Sequence, residues 1–157
     1  MNIEVGIDDL SDGAIIDLLN QHLQEMHKYS PPESIHALDV KNLKDPNITF
    51  WGARVNGKLA GCGALKELST RCAEIKSMKT SDQFLRTGIA RKILEELMSE
   101  ATRRFYTQLK LETGSNSAFQ PAITLYEKFG FEECGPFGEY KLDRYSKFFK
   151  ISLCKNP

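Results

Sequence analysis

The sequence has few of the residues and runs that mark specialised protein classes. Its 157 residues include only four cysteines (Cys62, Cys72, Cys134 and Cys154), and none of them forms a C-x-x-C pair. Scattered cysteines are typical of reduced thiols packed as small apolar groups, so we expect neither a disulfide framework nor a metal site. No apolar run approaches the roughly 20 residues of a membrane span, and the N-terminus lacks the basic start and apolar stretch of a signal peptide. These absences predict a soluble, cytoplasmic protein without a membrane partner.

An excess of charge of one sign is also missing. The 21 Lys and Arg residues balance 21 Asp and Glu residues, and the pI is near 6.8, so we expect no nucleic-acid partner. The balance is uneven along the chain, because residues 1–50 carry nine acidic and three basic residues whereas residues 76–110 carry eight basic and four acidic ones. Two interpretations remain open. Either a cationic substrate meets the first region and an anionic ligand the second, or both are solvated surfaces.

The length and the composition predict one globular domain over residues 1–157. A hydrophobic fraction of 41% and a charged fraction of 27% are ordinary for folded proteins. Hydrophobic periodicity gives the order β-α-β-β-β-α-β-α-β-β, an α+β (mixed α/β) class. We expect strands over 3–7, 48–55, 58–68, 73–80, 108–113, 131–135 and 147–153, helices from Ser11 to Met26, over 88–104 and over 123–129, and a helical turn within 34–43.

Two local signals support this order. Asn56-Gly57 stands between two strand-like runs, which is the strongest short-range indication of a β-hairpin. Pro31-Pro32 ends the first helix, since proline removes a donor and restricts the residue before it.

The junction MKTSDQFLRTGIARKIL (78–94) indicates an anion site. A strand ends, a short loop follows, and a helix begins near Gly88. The unpaired N–H groups and the dipole at a helix N-terminus attract anions, and Arg86, Arg91 and Lys92 add positive charge. The segment matches neither Walker A nor G-x-G-x-x-G. A plain turn before a helix is the alternative explanation of this glycine.

Two motifs in this chain resemble those of the GNAT superfamily of N-acetyltransferases. The run T-x-D-x-x-L-R-T-G-I-A (80–90) looks like its acetyl-CoA motif, and PAITLYEKFGF (121–131) is similar to its second signature. The element order also matches, so the resemblance covers nearly the whole chain and extends to small bacterial members of undefined substrate. Leu85 stands where the family usually has Gln or Arg, and Phe119 where it often has Asn.

The resemblance implies a fold, a co-substrate and a set of binding residues. The fold would be a mostly antiparallel twisted sheet of six to seven strands flanked by about four helices. The co-substrate would be acetyl-CoA, used without a metal. Its pantetheine and phosphates would be held by Met78, Thr80, Arg86, Thr87, Gly88, Ile89, Ala90, Arg91 and Asn116.

The resemblance also implies catalytic residues. Tyr126 aligns with the tyrosine that faces the sulfur, and a phenol can protonate a leaving thiolate. Packing as a buried aromatic ring is its alternative role. Glu74 stands where some members carry a base glutamate, with Glu67 and Glu112 as rivals on neighbouring strands and a water-mediated base as another option. An ion pair with Lys76 is the alternative role of Glu74.

The expected activity is transfer of an acetyl group from acetyl-CoA to the amine of a small-molecule or amino-acid-like acceptor, directly in a ternary complex. The segment 30–36 stands where the family binds its acceptor. A cysteine acyl-enzyme is not expected, since no histidine lies near Cys62 or Cys134 in the sequence. A non-catalytic acyl-CoA-binding module and an enzyme acting on a protein amine remain alternatives. Many family members are dimers, so a homodimer is compatible with the resemblance.

Overall fold

A single seven-stranded sheet organises the chain. The computed structural model describes residues 1–36 and 43–153, and within them three α-helices accompany the sheet. The strands β1 to β7 are Ile3–Asp8, Ile48–Val55, Lys58–Ser69, Cys72–Thr80, Gln108–Gly114, Glu132–Cys134 and Ser146–Ser152. The helices α1 to α3 are Ala14–Met26, Ile89–Arg103 and Gln120–Lys128.

The observed order of elements and the α+β class confirm the sequence prediction. The three α-helices fall slightly below the expected four, because the other helical segments in the described residues are 3-10 turns of three residues. These turns are Pro32–Ser34, Asp82–Phe84 and Ser117–Phe119. The first of them lies earlier than the turn expected within 34–43, and residues 37–42 of that segment lie outside the described residues, as does Cys154.

The start of α1 differs from the prediction. Ser11 does not cap the helix, which instead begins after Gly13, a residue with φ of +77°. The Asp12 carboxylate accepts the backbone N–H of Ala14 at 3.0 Å, and the Asp9 carboxylate accepts that of Ser11. Aspartates that bond the backbone two residues onward form a turn here and delay the helix.

The two faces of the sheet bury different sets of side chains, because neighbouring residues of a strand point in opposite directions. On β2, Phe50 joins a core with Ile15 and Leu18 of α1. The next residue, Trp51, joins the larger core that α2 and α3 cover with residues such as Ile93. We call these the α1 face and the α2 face.

A parallel pair of strands at the centre of the sheet determines where it opens. The strand order is β1-β2-β3-β4-β5-β7-β6, and all neighbours are antiparallel except β4 and β5. These two pair only over Cys72–Ile75 and Gln108–Leu111. Beyond these residues β4 continues to Thr80 and β5 to Gly114 without pairing to each other. The sheet therefore splits, and the gap is open from both faces.

A β-bulge determines which face of the sheet the side chains at the end of β4 point to. The register with β3 shifts between Cys62 and Ala64, and Ser77 of β4 has a φ of +58°, which a non-glycine residue rarely adopts. The extra residue puts Met78 against the core of the α2 face and returns Lys79 to the α1 face, opposite Cys62.

Helix α2 lies close to β3 at Gly61. A Cβ atom at Gly61 would lie 2.7 Å from Cγ2 of Ile89 and 2.9 Å from the backbone oxygen of Lys79. The backbone oxygen cannot move without disturbing the pairing of β3 and β4, so this position requires the missing side chain.

We predict that Gly61→Ala lowers the free energy of unfolding by about 1–3 kcal/mol, because the added methyl group overlaps α2 and β4. The matched control is Gly6→Ala in β1, where a Cβ meets no atom within 4 Å. This change should be neutral or slightly stabilising. Urea unfolding of both variants measures the difference, and equal free energies would contradict the packing argument.

Candidate active site

A cleft of about 660 Å³ occupies the gap between β4 and β5. Its wall on the α1 face comes from α1, the segment 30–36, and the β4 and β5 side chains that point to that face. Its wall on the α2 face comes from the loop before α2, the start of α2, and α3. The cleft therefore passes through the sheet, and two molecules can meet in it from opposite faces.

One end of the cleft is formed by the N-terminus of α2. Gly88 precedes the helix with a φ of +88°, and a Cβ atom there would meet nothing within 4 Å, so the space above it is open. The bond from Lys92 N–H to the Gly88 oxygen, at 3.1 Å, closes the first turn. The N–H groups of residues 89–91 therefore lack partners within the helix. With Arg86 and Arg91 lining the same end, the site suits an anionic group.

Most of the predicted cofactor residues line this cleft. They are Met78, Thr80, Arg86, Gly88, Ile89, Ala90 and Arg91. The remaining two, Thr87 and Asn116, do not line it. The Thr87 hydroxyl donates to the Phe84 oxygen at 2.5 Å, and the Asn116 side-chain oxygen accepts the Ala118 N–H at 2.8 Å, because each stabilises its own 3-10 turn.

The phenol of Tyr126 lies where the two faces of the cleft meet. Tyr126 is 6% exposed, packs in the core of the α2 face and also lines the cleft. No described residue forms a hydrogen bond with its hydroxyl, yet that hydroxyl is not sealed from the cleft. Burial, reinforced by the charge of Glu112, raises the pKa of Tyr126 above its usual value. The phenol is therefore protonated at neutral pH.

Glu74 belongs to a closed polar network on the α1 face. It is 3% exposed, and its Oε2 accepts the Tyr140 hydroxyl at 2.5 Å and the Lys76 ammonium at 3.3 Å. Lys76 also donates to the Tyr140 oxygen at 2.9 Å and to the backbone oxygen of His36 at 3.3 Å. Burial and the charge of Glu74 raise the pKa of Tyr140, so its phenol stays protonated.

Glu112 faces the same gap from β5 with fewer partners. Its Oε2 accepts the Ser146 hydroxyl at 2.7 Å, and the side chain lines the cleft. Burial raises the pKa of Glu112; the Ser146 hydrogen bond and the charges of His36 and Lys76 oppose this, whereas Glu74 adds to it. Glu67, the other rival, does not line the cleft, because its carboxylate accepts the hydroxyl of Tyr106.

Comparison with known proteins gives this geometry a family. Residues 14–131 match the profile of the acetyltransferase (GNAT) family. An uncharacterized N-acetyltransferase of Bacillus subtilis is 51% identical over 151 residues, covering 96% of this chain and all of that protein. The chain belongs to the GNAT acetyltransferase family. An uncharacterized N-acetyltransferase of Escherichia coli (44% identity, 95% of this chain and 94% of its own) and an IAA acetyltransferase of Azospirillum brasilense (33%, 97% and 99%) are further relatives.

Solved structures of this family have the same fold. An acetyltransferase of Streptococcus agalactiae superposes with a TM-score of 0.77 at 20% identity, over 96% of this chain and 98% of that one. A GNAT acetyltransferase of Elizabethkingia anophelis with acetyl-CoA bound has a TM-score of 0.68 at 20% identity, over the same shares. The predicted family, fold and enzyme class of N-acetyltransferase are therefore confirmed.

The thiols of this GNAT protein are not activated. Cys62 is fully buried, and its S–H donates to the Ser77 oxygen at 3.3 Å. Burial raises the pKa of Cys62 to about 12 and also raises that of Cys134. Cys62, Cys72 and Cys134 are free thiols, and no cluster of three or more His, Cys, Asp or Glu residues suited to a metal occurs in residues 1–36 and 43–153. No helix among these residues is long and apolar enough to cross a membrane.

The sequence analysis missed the loop between β6 and β7. Tyr140 of this loop bonds Glu74, and its ring meets that of His36 with centroids 4.9 Å apart. Asp143 accepts the hydroxyl of Ser34 at 2.5 Å, which ties the loop to the segment 30–36. Within that segment Ser30, Ser34, Ile35 and His36 line the cleft. No local motif marks this loop, since its partners lie more than 60 residues away.

His22 of α1 is a second residue that sequence reasoning did not identify as part of the site. It lines the cleft, and burial, with the charge of Lys79, lowers its pKa to about 4. The imidazole is therefore neutral at pH 7. It is a polar but uncharged part of the wall on the α1 face.

We predict that acidification destabilises the protein through His22. Between pH 6.5 and about 4, His22 is protonated in the unfolded chain but not in the folded chain. The free energy of unfolding therefore falls as the pH is lowered, by up to about 3 kcal/mol over this range. His22→Gln should remove this part of the slope in urea unfolding, whereas His27→Gln, an exposed histidine one turn later, should keep it. An unchanged slope in His22→Gln would contradict the assignment.

Proposed function

We propose that this protein transfers the acetyl group of acetyl-CoA to the amine of a small-molecule acceptor, directly within a ternary complex. The observation that carries the proposal is the cleft through the sheet, with a cationic helix N-terminus at one end and, in its lining, a phenol that has no hydrogen-bond partner among the described residues. The donor enters on the α2 face and the acceptor on the α1 face. The two substrates meet in the gap between β4 and β5.

The donor end has groups for each part of acetyl-CoA. The N–H groups of residues 89–91 bind the pyrophosphate, and Arg86 and Arg91 neutralise it. The pantetheine lies along Met78 and Thr80 of β4, where the absence of pairing with β5 leaves room for an extended chain. Phe119 lies against Gly114, where a Cβ would overlap its ring, and both line the cleft. The aromatic ring thus supplies an apolar wall for the pantetheine.

Tyr126 is the proposed general acid. When the amine attacks the thioester carbonyl carbon, the C–S bond breaks and the sulfur leaves as a thiolate. The thiolate takes the proton of the Tyr126 hydroxyl or is stabilised by its hydrogen bond. The raised pKa of Tyr126 keeps the phenol protonated before each turnover. Its lack of another partner among the described residues leaves the proton available to the sulfur.

Two carboxylates are proposed for the proton that leaves the amine. Glu74, expected from the sequence, already accepts hydrogen bonds from Lys76 and Tyr140 on one oxygen. Glu112 accepts one neutral hydroxyl and has no ion-pair partner among the described residues, and burial raises its pKa, so its carboxylate is available to the amine proton. We therefore assign proton acceptance to Glu112 and the positioning of the α1-face loops to Glu74.

Direct transfer agrees with the state of the cysteines. An acyl-enzyme requires a thiolate with access to the thioester. Cys62 lines the cleft, yet burial raises its pKa to about 12, and its S–H is engaged by a backbone oxygen. The amine itself is thus the nucleophile.

We predict that wild-type protein binds acetyl-CoA in calorimetric titration and that two variants weaken this binding. Arg86→Ala should weaken it about fivefold, because an exposed charge is lost beside the pyrophosphate. Gly88→Glu should weaken it at least about tenfold, because a carboxylate occupies the open space at the helix N-terminus. Gly88→Ala controls for the backbone strain at this φ, and Arg103→Ala, at the other end of α2, controls for lost charge. Wild-type protein that does not bind acetyl-CoA would contradict the proposed function.

We predict that Tyr126→Phe lowers kcat about 100-fold while the affinity for acetyl-CoA stays within about twofold, because the change removes only the acid. Tyr106→Phe is the matched control, since this buried tyrosine bonds Glu67 away from the cleft. It should keep the wild-type kcat. Release of free thiol measured with an accepted amine gives both rates. Equal kcat in Tyr126→Phe and wild type would remove the phenol from the mechanism.

A further inference from the structure

We propose that the acceptor is a monocationic amine on an apolar body without a carboxylate, and that Glu112 is the side chain that binds its nitrogen. This inference rests on the acetyl transfer proposed above and goes further, because it names the acceptor class and the residue that selects it. It separates simple amines from the amino-acid-like acceptors that the family resemblance also allows.

The argument begins with the charges on the α1 face of the cleft. Among the described residues, three carboxylates and two lysine ammonium groups line this face. The ring of His22 is neutral, since burial lowers its pKa to about 4. The charged groups are Glu25, Glu74 and Glu112, with Lys76 and Lys79.

Both ammonium groups are already paired with carboxylates. Lys79 lies 2.9 Å from Oε1 of Glu25, and its side chain is 13% exposed. Lys76 lies 3.3 Å from Oε2 of Glu74, and its side chain is 10% exposed. The Lys76–Glu74 pair is buried, since the Glu74 side chain is 3% exposed, whereas the Glu25 side chain is 40% exposed. In both pairs the ammonium and the carboxylate compensate each other's charge. One negative charge, that of Glu112, is left without an ion-pair partner among the described residues.

A bound ammonium group compensates this charge. The one hydrogen bond that the structure gives Glu112 comes from the neutral Ser146 hydroxyl, and a buried charge without a partner is costly. His36, Lys76 and Glu74 also act on Glu112, but Lys76 is committed to Glu74 and Tyr140. An acceptor amine that approaches from the α1 face therefore gains most by donating to Glu112.

A carboxylate on the same acceptor meets no unpaired lysine among the described residues of this face. Lys76 and Lys79 are engaged, so an acceptor carboxylate would have to break one of these pairs or lie close to Glu112 and Glu74. Like charges brought together without water cost binding energy, and this selects against amino acids. The selection thus arises from the excess of one negative charge.

Apolar side chains form part of this wall, beside the polar residues Ser30, Ser34, His36 and the neutral His22. Leu19 and Met26 of α1 and Ile35 of the following segment line it, and the fully buried Cys62 lies behind them. These side chains offer no hydrogen-bonding groups to a polar acceptor body. An alkyl or aryl group attached to the amine gains contact area here.

The test compares three acceptors that share a phenylethylamine skeleton, at a fixed saturating concentration of acetyl-CoA. These are 2-phenylethylamine, phenylalaninol and phenylalanine, of which only the last carries a carboxylate. We expect kcat/KM for the first two to exceed that for phenylalanine at least about tenfold. Titration of each acceptor into the protein with CoA bound should give the same order of affinity, and this readout does not depend on turnover.

Three variants separate the charge argument from a simple effect of acceptor size. Glu112→Gln should raise the KM for 2-phenylethylamine at least about tenfold and reduce the discrimination against phenylalanine. Glu25→Gln leaves the Lys79 ammonium without its carboxylate. It should therefore raise kcat/KM for phenylalanine relative to that for phenylalaninol. Ser146→Ala removes the hydrogen bond to Glu112 but keeps its charge, so the discrimination against phenylalanine should remain. This variant keeps the test informative if Glu112→Gln folds poorly.

The outcomes distinguish this inference from the function on which it rests. Absence of acetyl-CoA binding would end the proposed function, and the acceptor assignment with it. Acetyl-CoA binding with phenylalanine used as well as phenylalaninol would overturn the acceptor class and leave the transferase. The acceptor assignment would also be overturned if the protein neither bound nor acetylated any of the three compounds. Glu112→Gln that discriminated against phenylalanine as strongly as wild type would overturn it too.

Discussion

The short parallel pairing of β4 and β5 is the constraint on which the rest of the structure depends. Four residues of each strand pair, and beyond them the two strands continue without backbone pairing to each other. Every feature of the site follows from this opening. It exposes the backbone and side chains of both strands, places the N-terminus of α2 at one end, and lets α3 present Tyr126 from the α2 face. A continuous sheet would have sealed the two faces from each other.

Two carboxylates on the same face of the sheet line this opening. Glu74 and Glu112 stand on adjacent strands on the α1 face, and burial makes each of them costly. The first is compensated by Lys76 and Tyr140, which also hold the loop between β6 and β7 in place. Among the described residues, the second accepts a hydrogen bond only from a hydroxyl. In the proposed acceptor selection, the paired carboxylate stabilises the fold and the unpaired one binds the amine.

Much of the fold could be predicted where local physics decides. Asn56 and Gly57 both have positive φ values, 52° and 80°, and form the turn that their sequence indicates. The apolar stripe of α2 and its glycine start are observed within one residue of the expected bounds. The predicted start of α1 at Ser11 was wrong, since three nearby aspartates and a left-handed Gly13 favour a turn instead. Similar short polar side chains compete for the same backbone groups, and sequence spacing does not rank them.

The sequence by itself determined the order of elements, the enzyme family and the loop before α2, because each is written in a contiguous motif of about ten residues. Only the tertiary structure decided which carboxylate remains without a cation. The sequence favours Glu74, with Glu67 and Glu112 as rivals. In the structure Glu74 and Glu112 differ by contact with Tyr140, 66 residues from Glu74, and with Ser146, 34 residues from Glu112. Charge compensation depends on distances through space and on exclusion of water, and neither is encoded in the spacing of residues along the chain.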